Sequence, residues 1–364
     1  MAHSEALPEP SGIGTGSAHM DGRKYLEEAI RAEPQPAAAP RLPRSEGWIG
    51  LSFLDSALHQ NHIRRITDLL SLARHGTIER TVELDVTTGL LTAEQMDAGL
   101  QYSALRGRQT ERERLLWVPI ARLPRGSAFP LEVVDEESVQ VPRLTQNEIS
   151  PLLASGLYRL LRSLLQATST SKEATNKQYE ELFASGDEAR WLLQASLLSL
   201  FRRQSRPTPS SVTRQSRPLS PVAARLISFL KTEDPTLQGT LDTFFALLLM
   251  AVEEYLVVVG LPRSRDEHFL RYRAPLKAEE ERLRGLLRSI AFQLGPLRRV
   301  YRVQYSTALP PTIPSYHIIA HVEPGLNIER MVLRCDTDKN PITQLKTDLE
   351  SIADRLQSSD PGST

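Results

Sequence analysis

Between Leu115 and Glu148 the chain reads LLWVPIARLPRGSAFPLEVVDEESVQVPRLTQNE, three extended segments punctuated by turns. In the first, Leu116, Val118 and Ile120 alternate with Leu115, Trp117 and Pro119. A strand that is apolar on both faces has to be covered from both sides. In the second, Phe129, Leu131 and Val133 alternate with Pro130 and Glu132, the pattern of a strand with one wet face. Val139 and Val141 begin a third. The connections Pro124–Ser127 and Asp135–Ser138 are rich in turn formers, and a leucine-rich helical stretch follows at once. No chemistry is evident in this stretch; it dictates fold.

A second strand of the same buried kind is Tyr255–Leu261, YLVVVGL, a continuous apolar run that ends at Pro262. Thr81–Thr87 alternates cleanly, with Val82, Leu84 and Val86 pointing one way. His268–Ala274 is placed to pair with Tyr255–Leu261, and Val300–Ser306, Ser315–Val322 and Glu329–Arg334 complete a later set. Helical periodicity begins at Ser52 and carries Leu54, Leu58, Ile66, Leu69 and Leu70 as far as His75-Gly76. Residues 92–107 are either a short helix or a loop. Thr145-x-x-Glu148 fits a capping box, yet Pro151 argues for a helix that starts only at Ser150. Further helices are expected over Asn176–Phe201, over Val222–Lys231, after the Asp234-Pro235 cap, after Glu279-Glu280-Glu281, and over Ile342–Leu356.

The expected fold is therefore α+β, with two mainly antiparallel strand clusters, about 81–142 and 255–334, separated by a helical block. Whether the clusters share one sheet stays open at this point. The organisation that follows is an unstructured N-terminal tail over 1–46, then helix, strands and leucine-rich helices over 47–202. A basic linker occupies 203–221, a helix and strand cluster 222–340, and a terminal helix with a polar tail 341–364. Gly12-Ile-Gly-Thr-Gly16 resembles a phosphate loop superficially, but no strand precedes it and no Gly-Lys-Ser/Thr closes it.

Composition excludes more than it selects. Lys+Arg and Asp+Glu are 44 each, so net charge points to neither nucleic acid nor an anionic surface. One cysteine, Cys335, rules out an internal disulfide framework and a cysteine-based zinc cluster. The N-terminus lacks a signal-peptide layout. The longest apolar run, Phe244–Val252, is nine residues against the ~20 that a spanning helix needs. The expectation is a soluble, cytoplasmic chain without a transmembrane segment, with room for peripheral association with a membrane.

Candidate chemistry is sparse. Asp55, His59 and His62 fall on neighbouring turns of the expected first helix and could begin a metal site, but no further ligand is nominated, so no metal is assigned. His317 and His321 share a strand face with Ile319; at about 13 Å apart they cannot hold one zinc, though with Glu323 they could line a pocket. Ser169-x-x-Lys172 and Ser228-x-x-Lys231 match a Ser–Lys pattern without its companion motifs. Asp135-Glu136-Glu137 could attract a cation, but a hairpin turn explains it more simply. No nucleophile elbow, H-E-x-x-H or Walker motif occurs. The one departure from charge neutrality is a duplication, Arg203-Gln-Ser-Arg206-Pro207 and Arg214-Gln-Ser-Arg217-Pro218. From Ala189 to Thr232 there are eight basic residues and no acid, which could contact phosphate, an acidic partner or anionic lipid. The repeat has no aromatic residue for base stacking, which weakens a nucleic-acid reading.

Two segments carry a resemblance. Pro130–Glu148 (PLEVVDEESVQVPRLTQNE) and Pro314–Leu326 (PSYHIIAHVEPGL) are similar to motifs in large, uncharacterised actinobacterial membrane-linked proteins. There a D-E-x-G-x-x-L-P-x-L-T hairpin precedes helices, and an S-Y-H-x-x-x-x-x-P-P-G-L strand precedes membrane-spanning helices. The similarity covers roughly residues 80–335. It departs at Ser138, where the pattern has Gly, at Glu323-Pro324, where it has a Pro pair, and in the lack of a membrane segment after Leu333. The resemblance implies a soluble portion of a membrane-linked architecture and no activity.

The residues and the resemblance together point to a non-enzymatic protein-interaction module acting near a membrane, with an unknown protein partner, no cofactor and an open oligomeric state. The competing reading is an enzyme of unrecognised class, with a pocket between sheet and helices that uses His317, His321 or Glu323. Nucleic-acid binding comes third.

Overall fold

The structure is a computed structural model that describes residues 22–31, 44–72, 78–105, 115–124, 131–169, 173–184, 187–202, 221–274 and 313–322. It opens with helices α1 (Gly22–Arg31) and α2 (Arg44–His59) and strands β1 (Ile63–Leu72) and β2 (Ile78–Thr87). Helix α3 (Ala93–Leu105), strand β3 (Leu115–Pro124) and the two-residue strand β4 (Val133–Val134) follow. A helical run comes next: α4 (Gln146–Ser169), α5 (Glu173–Ala184), α6 (Asp187–Arg202), α7 (Pro221–Leu230) and α8 (Pro235–Glu253). Strands β5 (Glu254–Pro262), β6 (Glu267–Ala274) and β7 (Ser315–Val322) complete the described elements. The α+β expectation holds.

The sheets interleave the two clusters. One has five strands in the order β4-β6-β2-β1-β7, and the other pairs β3 with β5. All pairings are antiparallel except β1 with β7, which is parallel in unbroken register from Arg65↔Ser315 to Leu72↔Val322. The expectation that residues 268–274 pair with Tyr255–Leu261 is corrected, since β6 lies between β4 and β2 while β5 lies on β3. A four-residue connection carries the chain from one sheet to the other. Residues 142–144 run along the other edge of β5: Leu144 N–H donates to Val258 O and Gly260 N–H to Pro142 O.

The doubly apolar strands form the middle layer. From β3 and β5, Leu116, Val118, Ile120, Val257, Val259 and Leu261 face the five-stranded sheet and pack with Val82, Leu84, Val86, Leu270 and Tyr272. Trp117, Leu256 and Val258 face the other way, into the helices. The sequence pattern of two covered faces thus corresponds to a small sheet held between a larger sheet and a helical bundle.

Local corrections follow from specific residues. The apolar stripe from Leu54 to Leu70 is not one helix. Gln60 adopts φ 47°, a left-handed turn, and Ile63–Leu72 continues as β1. Within the segment expected to be unstructured, Tyr25, Leu26, Ala29 and Ile30 form the buried face of α1 against α6, α7 and α8. A ten-residue helix can be this polar outside and still dock through four residues. The capping box at Thr145 is real, with Thr145 N–H donating to Glu148 Oε2 at 2.7 Å, and α4 runs from Gln146 straight through Pro151. Pro151 is the sixth residue of α4, so it forfeits the bond its N–H would give to Asn147 O, a cost that the satisfied cap and the buried Leu152, Leu153 and Leu157 offset. Of residues 92–107, Ala93–Leu105 form α3, capped by Thr92, whose hydroxyl accepts from Gln95 N–H while its own N–H donates to Gln95 Oε1, and 106–107 lie outside the described residues. The single helix expected over 176–201 is two, α5 and α6. Asp234 caps α8 as expected, accepting from Thr236 N–H at 2.9 Å. The expected strands at 300–306 and 329–334 and helices after 279 and over 342–356 lie outside the described residues.

By length and composition α8 alone among the described helices could cross a membrane. It packs into the bundle through Leu237, Leu241, Phe244, Phe245, Leu247, Leu248 and Ala251, all buried.

Candidate functional site: the open side of the five-stranded sheet

The inner side of β1, β2 and β6 is buried against the middle layer, through Ile66, Val82, Leu84, Val86, Leu270 and Tyr272, so what these strands offer to another molecule lies on the outer face of the sheet. Strand registers assemble that face in rows. One row runs Val134, Arg271, Glu83, Thr67, His317; the next runs Arg273, Thr81, Leu69, Ile319. A third places Phe269, Asp85, Arg65 and Ser315 side by side, and a fourth Glu79, Ser71 and His321. Ion pairs span the strands. Arg271 Nε donates to Glu83 Oε1 at 3.0 Å, and Arg65 lies 2.9 Å from Asp85. These exposed pairs contribute about 0–1 kcal/mol each, so they shape the surface more than they hold it together. Leu69, Thr81, Glu83, Glu132, Val134, Arg271, Tyr272 and Arg273 line an open concavity of about 700 Å³.

The facing of β7 is fixed from beneath. Asp68 is fully buried on the inner face, and its two oxygens accept from Arg80 Nε at 2.8 Å and Nη2 at 3.2 Å. Tyr316 O–H donates to Asp68 Oδ2 at 2.5 Å. A buried carboxylate has to be compensated, and here a bidentate guanidinium and a phenol do it. With Tyr316 tied inward, His317, Ile319 and His321 must point outward, because side chains alternate along a strand. All three are exposed, Ile319 at 41%.

The two edges of the sheet differ. At one end β4 is two residues long and leads into the Asp135–Ser138 turn, where Asp135 Oδ1 accepts from Glu137 and Val139 N–H. That bonding accounts for the acidic turn without a cation. At the other end β7 presents eight residues in unbroken register, with no proline, no Lys, Arg, Asp or Glu, and no bulge. Proteins blunt strand edges with those devices, and β7 has none of them. Among the described residues no strand pairs with its outer side.

The residues nominated from sequence scatter. Asp55 and His59 do meet, with Nδ1 2.9 Å from Oδ1, but Asp55 Oδ2 is taken by Gln95 Nε2 at 2.8 Å. His62 lies beyond the helix, fully buried, and its Nε2–H donates to Pro119 O at 2.7 Å. Among the described residues no three His, Cys, Asp or Glu side chains converge on a metal position. His317 and His321 are exposed on β7 and do not line the concavity; His317 Nε2 is 2.8 Å from Ser315 Oγ. Glu323 lies outside the described residues, as do Arg203, Arg206, Arg214 and Arg217. Ser228 is exposed, and Lys231, its nominal partner, sits 3.4 Å from Glu27 of α1. Ser169 donates to Gln166 O, and Lys172 is outside the described residues. Sequence reasoning missed Arg271, Arg273 and Leu69 as surface groups. The alternation of residues 267–274 was visible, but facing cannot be assigned before the strand's neighbours are known.

Comparison with protein-family models, with curated proteins and with solved structures returns no match to this chain.

Proposed function

We propose that the protein is a non-enzymatic interaction module that engages another polypeptide through the open side of its five-stranded sheet. The observation that supports this reading is the asymmetry of the sheet: the inner side of β2 and β6 is buried, the β4 edge is short, and the β7 edge, unpaired among the described residues, is long, uncharged and carries exposed Ile319. An extended partner segment added to β7 would gain main-chain hydrogen bonds, with the rows behind Ile319 supplying side-chain contacts. A catalytic reading built on His317 and His321 draws no support from two histidines that stand apart from the concavity.

The test is affinity capture with the full chain, wild type against Ile319→Lys, a charged gatekeeper at an exposed site that leaves the core untouched. The expected result is a defined set of partners lost with the variant while its thermal unfolding is unchanged. Identical partner sets would reject the edge as the docking surface. Deleting residues 203–218 in parallel asks whether the basic repeat contributes.

A further inference from the structure

Helix α4 is buried on most sides and shows solvent a narrow line. Arg159, Arg162 and Gln166 are exposed at spacings of three and four residues, which place them on one face. Helix α2 borders that line, since a methyl group built on Gly47 would lie 3.7 Å from Arg159 Cβ. Helix α6 borders it too: the Arg190 guanidinium lies 5.8 Å from the centroid of the Tyr158 ring, and Tyr158 is one turn from Arg162. Trp48 follows Gly47 and Trp191 follows Arg190, and both indoles are half-buried against the bundle core.

Charge here is one-sided. Arg159 and Arg162 make no ion pair or hydrogen bond with a described residue. No Asp or Glu occurs from Ile149 to Lys172 or from Ala189 to Thr232. Glu46, beside Gly47, has its Oε2 buried rather than paired with Arg159. Glu188 precedes Arg190 by two residues and so leaves α6 on a different face. We infer that this α2–α4–α6 surface docks on an anionic lipid bilayer, with Arg159, Arg162 and Arg190 on lipid phosphates and Trp48 and Trp191 at the depth of the head groups. A guanidinium gives phosphate two parallel donors, and an indole, apolar in body and polar at its N–H, settles at the membrane–water interface. Attraction to a charged bilayer acts within a Debye length, so a local patch serves in a chain of zero net charge. Nucleic acid fits less well, because rings packed against the core are not open to stacking bases. The inference stands apart from the sheet reading, since the bundle lies across the middle layer from the five-stranded sheet.

The test is sedimentation of the full chain with vesicles of phosphatidylcholine alone and of phosphatidylcholine mixed with phosphatidylserine. The expected result is binding to the mixed vesicles only, weakening as salt is raised. Arg159→Gln together with Arg162→Gln keeps good helix formers at exposed positions, so circular dichroism should be unchanged. The partition coefficient of that double variant should fall about 25-fold, about fivefold for each arginine. Vesicles with lipids brominated near the head group should quench tryptophan emission through Trp48 and Trp191, because the third tryptophan, Trp117, is buried in the core. Equal binding to both kinds of vesicle, or none to the mixed ones, overturns the inference. So does binding that the double variant keeps and that deletion of residues 203–218 abolishes, which would assign it to the basic repeat. Tighter binding of an oligonucleotide than of the mixed vesicles, lost with the same two arginines, would replace lipid by nucleic acid.

Discussion

His62 shows how one residue links local structure to a measurable property. It follows the left-handed turn at Gln60, receives Thr87 N–H on its carbonyl, and sends Nε2–H to Pro119 O, so it stitches β1, β2 and β3 together at one end of both sheets. Burial drives its pKa down from 6.5 to about 4, outweighing the opposing effect of the Pro119 hydrogen bond. The folded-state pKa lies below the unfolded one, so protons bind the unfolded chain first. The stability that neutral His62 supports is complete above pH 6.5 and is lost as pH falls towards 4, a change on the order of 3 kcal/mol. His62→Gln keeps a donor for Pro119 without titrating. The gap between wild type and variant in urea midpoints should therefore change between pH 7.5 and 4.5, with wild type losing more; parallel curves would show that His62 does not titrate across folding. None of this could be read from the sequence, where His62 looked like the third member of a helical triad with Asp55 and His59. Nothing in residues 54–70 marks the end of the helix except Gln60 and Asn61, and neither is a strong breaker. Ser138 is the opposite case: it holds φ 63° in the turn after β4, and the resembling pattern has Gly there, the residue that adopts such a φ without penalty.

At the level of elements the tightest contact is the crossing of α2 and α4. A methyl group built on Gly50 would stand 1.8 Å from Leu152 O, and one on Gly156 would stand 2.6 Å from Gly50 C and Leu51 N. The two backbones touch through missing side chains, which brings Phe53 and Leu153 into the same fully buried cluster. Gly50→Ala and Gly156→Ala should each cost about 3 kcal/mol or more, since the clash is with backbone that cannot rotate away. Both substitutions force the same separation, so the double variant should cost less than the sum. Thermal unfolding by circular dichroism reads this directly, and a mild, additive pair would mean that the helices slide apart at little cost. Elements of this kind were only partly legible. Thr145, Asp234 and the alternation of Val82, Leu84 and Val86 announced themselves because caps and period-two patterns are local. The α2–α4 contact did not, because a glycine in a helix reads as a weakness until its neighbour across the interface is known.

For the whole molecule, the consequential fact is which strands share a sheet. The sequence signalled correctly that Leu115–Ile120 and Tyr255–Leu261 are covered on both faces, and that fixes a middle layer. It could not signal that they pair with each other across about 130 residues of intervening chain, because pairing of distant strands leaves no local trace. The natural cut in the sequence, the basic stretch 203–220, therefore separates two segments that do not own their sheets. β2 needs β6, and β3 needs β5. Residues 1–202 alone would expose the apolar faces of β3 and of α4, whereas residues 221–364 alone would leave β5 uncovered on both sides. Expressed separately, neither half should show the near-ultraviolet circular dichroism of a packed core. Co-expressed, the two should copurify as a stoichiometric complex, since a break in the connection removes none of the sheet or helix contacts described. A soluble, cooperatively unfolding half on its own would show that one strand cluster closes a core without the other, and the three-layer arrangement would then have to be abandoned as a single folding unit.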